Sequence, residues 1–227
     1  GNYYESDQEW NGGFGEFILG EKWIAHHGNH KHQSTRGIIA AGAETHPILH
    51  GITNGEIWGP TDVYAVRLPL NSDYQQLILG QVTNRLGEYD SLDASYGMRS
   101  TDLEAAGIET EKDENGNEVK INRNDPMMPV AWTKDYQIPG GKKGKVFTTT
   151  MGAATDLLSE GTRRMLVNAV FWSLGLDVPA KAKKPEHYSN QSLQKKNPHR
   201  LLALTTQKQN AAKDFLLHHC VQPFLRS

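Results

Sequence analysis

The chain has one cysteine in 227 residues, Cys220, so it can form no internal disulfide and cannot build a cysteine-rich zinc site. Nor does it contain an apolar run of membrane-spanning length, and its first residues lack the basic, apolar, small-residue order of a secretory leader. Neither sign of charge is in excess. Lys+Arg 24 against Asp+Glu 26 leaves a formal net charge of -2, which provides no basic surface for nucleic acid or an anionic membrane. Nucleotide-binding fingerprints are missing, because "GGFG" lacks the preceding strand and the spacing that give such loops meaning. No Gly-x-Ser-x-Gly or Gly-x-Cys-x-Gly elbow offers a nucleophile. These absences leave a small polar ligand as the expected partner and no expected cofactor. The single cysteine suits cytoplasm or periplasm equally.

What is present suffices for one core. A hydrophobic content of 37% supports a single globular domain, expected over residues 1–178. "GGFGEFILGEKW" spaces its apolar residues as a short helix would. Short β-branched or Leu-rich runs bounded by Gly, Pro or Asn predict strands near 37–41, 64–69, 76–82, 129–134 and 145–150, the last two joined by a Gly-Gly-Lys-Lys turn. "SEGTRRMLVNAVFWSLG" predicts a helix over 159–174, with Val170 and Trp172 among its apolar anchors and Gly175 at its end. Strands followed by a helix suggest an α/β layer. Residues 84–124 are polar and read as an insertion, with 91–124 expected to be poorly ordered and the Asn-Gly of "EKDENGNEVK" offering a solvated excursion or a small hairpin. Residues 179–227 read as an irregular, charge-rich tail with the composition of disordered chain. Gly1 in place of Met, followed by the loop-like "NYYESDQEW", leads to the expectation that further sequence precedes this segment.

The densest chemistry is "WIAHHGNHKHQSTRG", with His26, His27, His30 and His32 inside seven positions. His26 and His30 have the i, i+4 spacing that would align two imidazoles on a helix, but Gly28 and Asn29 interrupt any helix there. The expectation is therefore a loop that contacts a polar ligand through His27 and His30, and no metal. Ser34, Thr35 and Arg36 follow at the start of a strand and could hold a hydroxyl or a carboxylate; turn capping explains them as well. Asp62 and Tyr64 sit together in "GPTDVY". Gly152, after "VFTTT", would let backbone approach a ligand closely.

Taken in order, "WNGGFGEFILGEKWIAHHGNHKHQSTRG", "HPILHGI", "IWGPTDVYAVRLPL", "NDPMMPVAWTKDY" and "GKVFTTTMGAATDLLSEGTRRMLVNAVFWSLGL" resemble the ThuA-like (trehalose-utilisation) family over residues 10–178. The resemblance implies a flavodoxin-like, class I glutamine amidotransferase-like α/β sandwich without the amidotransferase Cys and without the family's early strand and helix units. It also implies a bacterial role in carbohydrate metabolism, on trehalose or keto-disaccharides. Many relatives carry Gly-His where this chain has Gly152-Ala153, so that His has no counterpart here. On this basis His27, His30 and Asp62 are the candidate catalytic groups, and Ser34, Thr35, Arg36, Tyr64 and Gly152 the candidate ligand contacts. A non-catalytic interaction module is the alternative, and a metal-dependent hydrolase a further one. A homo-oligomer is compatible with all three.

Overall fold

The computed structural model describes residues 13–70, 73–98 and 104–180. Of the chain's two units, Gly1–Lys181 and Ala182–Ser227, the described residues all belong to the first. Everything below concerns the first; the expectation of an irregular tail lies outside the described residues.

Among the described residues, seven strands and one α-helix make up the regular structure: β1 (Gln33–Ile39), β2 (Trp58–Gly59), β3 (Tyr74–Asn84), β4 (Glu109–Lys112), β5 (Glu118–Ile121), β6 (Met128–Gln137), β7 (Lys143–Thr149) and α1 (Glu160–Ser173). Five of the strands form one sheet in the order β2-β1-β3-β6-β7, and every neighbouring pair is antiparallel. This overturns the expected flavodoxin-like, amidotransferase-like α/β sandwich. That fold needs parallel strands joined by crossover helices that cover both faces of the sheet. Among the described residues, the connection from β1 to β3 holds only a 3-10 turn (Pro47–Leu49) and the two-residue β2, that from β3 to β6 holds only the strands β4 and β5, and the only α-helix follows the last strand. The Gly, Pro and Asn residues of "THPILHGITNGEIWGPTDVY" supply no apolar helical stripe, so no crossover helix can form there.

Local expectations fared unevenly. The runs at 76–82, 129–134 and 145–150 fall within or across β3, β6 and β7, and β1 lies four residues earlier than expected. No strand forms at 64–69. Tyr64 makes an isolated bridge to His26, Ala65 N–H donates to Ala25 O at 2.9 Å, and Arg67 N–H is taken by the Glu21 carboxylate at 3.0 Å. The entry segment, expected as a short helix, forms a five-residue π turn (Gly15–Leu19) closed by Gly20 at φ 96°. Its Leu19 carbonyl accepts from Trp132 Nε1 and Thr148 Oγ1, both at 2.9 Å, which ties it to β6 and β7.

Helix α1 begins at Ser159, whose hydroxyl accepts from Thr162 N–H and donates to Glu56 O. Gly161, Thr162, Met165, Asn168 and Ala169 form its buried face, and Trp172 packs partly buried against the core. Val170, expected as an anchor, is 50% exposed, because one position beyond Ala169 turns about 100° around the helix. Full burial of Met165 contributes about 1.5–3 kcal/mol. Asn168 Nδ2 donates to Ile48 O and His50 O, locking α1 to the 3-10 turn.

Residues 109–121, expected within a poorly ordered stretch, form the β4–β5 hairpin around Asp113–Asn117. It docks through Arg123, which pairs with Glu109 at 2.9 Å and with Glu111, and through Asn124, which exchanges two hydrogen bonds with the Val82 backbone. No helix among the described residues is long and apolar enough to cross a membrane.

Candidate functional site

The histidine-rich segment is a pinned loop. Val63 O accepts from both His27 N–H (2.8 Å) and Gly28 N–H (2.9 Å), while Asn29 O accepts from His32 and Gln33 N–H. Lys31 takes the left-handed conformation at φ 68°, and the Gln33 side chain returns to Asn29 N–H at 2.7 Å. A Cβ on Gly28 would stand 3.3 Å from Asp62 Cβ, so a bare Cα lets the loop lie directly on Asp62.

Asp62 is 2% exposed and receives two imidazoles: His26 Nδ1 at 2.7 Å on one oxygen, and His30 Nδ1 at 2.8 Å on the other. A carboxylate only accepts, so Nδ1 of each ring carries the proton, and Nε2 of each is left as the outward acceptor in the neutral form. The two rings lie 4.5 Å apart, with Trp23 and Tyr64 edge-on to His26. Burial, then the nearby Asp62 and Asp156 charges, push the Tyr64 hydroxyl above its ordinary pKa, so it remains a neutral donor.

His30, Asp62 and Tyr64 open onto a cavity of about 320 Å³ whose far wall is the 85–96 segment. Arg85 is clamped there by Pro60 O at 2.7 Å and Ala94 O at 2.8 Å, with its guanidinium 4.9 Å from the Tyr96 ring centre. Burial lowers its pKa, opposed by Tyr96, Asp93, Asp62 and Asp156. Tyr89 stands edge-on to Tyr96 on the same wall. Beneath the cavity, Asp156 is fully buried and accepts from Thr61 N–H (3.1 Å), Thr61 Oγ1 (2.6 Å), Gly152 N–H (2.9 Å) and Ala153 N–H (3.0 Å). It thereby joins the loop that carries Asp62 to the turn after β7. Gly59 makes this possible, since a Cβ there would meet Asp156 Oδ1 at 2.2 Å.

The structure therefore brings together His30, Asp62 and Tyr64 and places the other sequence candidates elsewhere. His27 turns away, its Nε2 2.7 Å from Arg123 O. Along β1, Ser34 pairs with Thr83 at 2.8 Å, Thr35 donates to Thr61 O at 2.6 Å, and Arg36 faces away from Thr35, buried, with Nη1 on Gly55 O at 3.0 Å. Alternation along a strand separates Thr35 from Arg36 and keeps Arg36 from the Asp62 cluster. Gly152 serves Asp156 through its N–H and does not line the cavity. Sequence reasoning missed His26, Arg85, Tyr89, Tyr96 and Asp156. The i, i+4 spacing of His26 and His30 was a usable signal, because an anchored loop joins the two rings as effectively as a helix would.

Comparison with known proteins gives no match: no family model fits the chain, and neither curated proteins nor solved structures contain one significantly similar to it.

Proposed function

We propose that this chain is a carbohydrate-binding domain that processes a trehalose-like or keto-disaccharide, in line with the ThuA-like resemblance of its ordered motifs. The observation that carries the reading is the pair of imidazoles held by buried Asp62, with His30 at the edge of a cavity walled by Tyr64, Tyr89 and Tyr96. Aromatic faces suit the C–H faces of a sugar ring, and a few fixed polar groups suit its hydroxyls. An imidazole oriented by a carboxylate can take a proton from carbon beside a keto group near neutral pH. Arg36 cannot stabilise the resulting oxyanion from its buried position, and Lys31 and Arg85 are the cations at the cavity wall. The resemblance enters through motif order alone, since the sheet is antiparallel.

Calorimetric titration of trehalose and of a keto-disaccharide tests the reading. His30→Ala is expected to weaken sugar binding about tenfold, or about 1.4 kcal/mol, with little change in melting temperature because His30 is 53% exposed. No sugar binding, or binding indifferent to His30→Ala and Tyr96→Ala, overturns it. Binding without turnover of the keto-disaccharide favours the interaction module over the enzyme.

A further inference from the structure

We propose that His26, His30 and Asp62 form a binding site for a divalent transition-metal ion of the zinc class. Each side chain offers one ligand atom, and the three atoms lie within 4.8 Å of one another. A tetrahedral ion with ligands at about 2.0–2.2 Å gathers donors about 3.3–3.6 Å apart. The contacts from Asp62 to the two Nδ1 atoms, 2.7 and 2.8 Å, are slightly tighter than that, so a small opening of the side chains admits an ion.

The sequence argued against metal because Gly28 and Asn29 interrupt any helix that would hold the imidazoles in convergence. The structure removes that objection. His27 and Gly28 N–H groups are fixed on Val63 O, the isolated His26–Tyr64 bridge holds one end of the loop, and the bonds to Asn29 O hold the other. Asp62 itself is backed by the Thr61 to Asp156 anchor. Three ligands from two segments about 30 residues apart in sequence thus converge on a supported framework, as a metal site requires.

Charge points the same way. A carboxylate at 2% exposure is costly to bury, and the hydrogen-bond donors it has among the described residues are two imidazoles. A divalent ion bound at the two Nδ1 atoms shifts each ring's proton to its outward Nε2, so the rings stay neutral while the ion compensates the carboxylate directly. Two imidazoles and one carboxylate without thiolate are a borderline set, suited to zinc, cobalt or iron(II), with positions left open. His30 and Asp62 line the cavity, so a sugar's carbonyl or vicinal hydroxyl oxygens bound there could complete the coordination and be polarised. That use rests on the proposed carbohydrate function; binding of the ion does not.

The full 227-residue chain, stripped with a chelator, is titrated with Zn²⁺ by calorimetry and with Co²⁺ by visible absorption. A single tight site is expected. His26→Ala, His30→Ala and Asp62→Asn should each weaken it by at least about 10–100-fold, while His27→Ala, which alters a ring outside the cluster, leaves it unchanged. Circular dichroism verifies folding, and because both rings are half exposed, the two His variants decide the matter even if Asp62→Asn does not fold. The sequence also contains His218, His219 and Cys220, which could bind zinc by themselves. Full affinity in the His26→Ala/His30→Ala/Asp62→Asn variant, loss of affinity in His218→Ala/His219→Ala/Cys220→Ser alone, or a thiolate-to-cobalt charge-transfer band would each overturn the proposal. Absence of a tight site would do the same. Sugar binding is measured in a separate titration with chelator, so failure of either reading is seen independently of the other.

Discussion

Replacing Asp156 with Asn tests whether one buried carboxylate holds the floor of the site. The two side chains have nearly the same shape, so the change isolates hydrogen bonding from packing. Asp156 Oδ2 accepts from Thr61 Oγ1, Gly152 N–H and Ala153 N–H, and Oδ1 accepts from Thr61 N–H. An Asn must point its NH₂ group at one of these sets. Placed at Oδ1, it meets a backbone donor; placed at Oδ2, it meets two backbone donors and a hydroxyl that can turn. The better choice still leaves one backbone N–H without an acceptor, at about 1–3 kcal/mol, and lowers the strength of the remaining charge-assisted bonds. A loss of about 2–4 kcal/mol is therefore expected, a large share of the roughly 5–15 kcal/mol that stabilises an ordinary domain. Urea unfolding reads this as a drop of about 1–2 M in midpoint if the slope is near 2 kcal/mol/M. Gly59→Ala should cost a comparable amount, since its Cβ would fall 2.2 Å from Asp156 Oδ1. The two changes should combine less than additively, because both break the same contact. An unchanged midpoint in Asp156→Asn would refute the assignment of Asp156 as the tie between the Thr61 loop and the turn after β7.

Two further outcomes concern pH. Burial alone would raise the Glu21 pKa, but hydrogen bonds from the Arg67 side chain and backbone and from Lys22 N–H bring it below the ordinary carboxylate value. A depressed folded pKa adds stability above the unfolded value that is lost as pH falls through the folded one, so Glu21→Gln should be less stable than the parent at pH 7 and should converge with it in acid unfolding curves. His46 is held below its ordinary pKa by burial first and by Lys145 second, so the unfolded chain takes up its proton more readily and stability should fall as pH drops through the unfolded His value of about 6.5. In NMR titration, Lys145→Gln should raise the His46 pKa. No movement would show that burial acts alone.

The apolar periods in this sequence are local signals, and they located local elements. Helix α1 covers Glu160–Ser173 against an expected 159–174, because capping by Ser159 and the Met165, Ala169 and Trp172 spacing are properties of neighbouring residues. Strand direction is not such a property. The same runs fit parallel and antiparallel ladders, and the connections alone decided between them. The cavity wall was hidden for another reason: "RLGEYDSLDASY" is polar enough to read as solvated chain, yet Arg85 docks it through two backbone carbonyls and Tyr96 is 7% exposed. Asp62 was legible as a candidate beside Tyr64, whereas its partnership with His26 depends on a fold-back that no spacing encodes. Arg36 misled because a cation next to hydroxyls resembles a site, while strand alternation sends it to the opposite face.

The two outer strands of the sheet also bear on how the molecule behaves in a crowded solution. An open edge presents bare amides that can recruit a strand from another chain and seed fibrils. At one margin β2 is only Trp58–Gly59, too short to act as a template, and its backbone is already engaged, with Trp58 N–H on Ser159 Oγ at 3.4 Å and Trp58 O facing Thr162 Oγ1 at 3.5 Å. At the other margin β7 begins with exposed Lys143 and Lys145, whose ammonium groups would repel an identical strand laid alongside in register. Further along, Thr148 is tied to the Leu19 carbonyl. Both margins thus discourage stacking of sheets end to end, and neutralising Lys143 and Lys145 would remove that protection from β7.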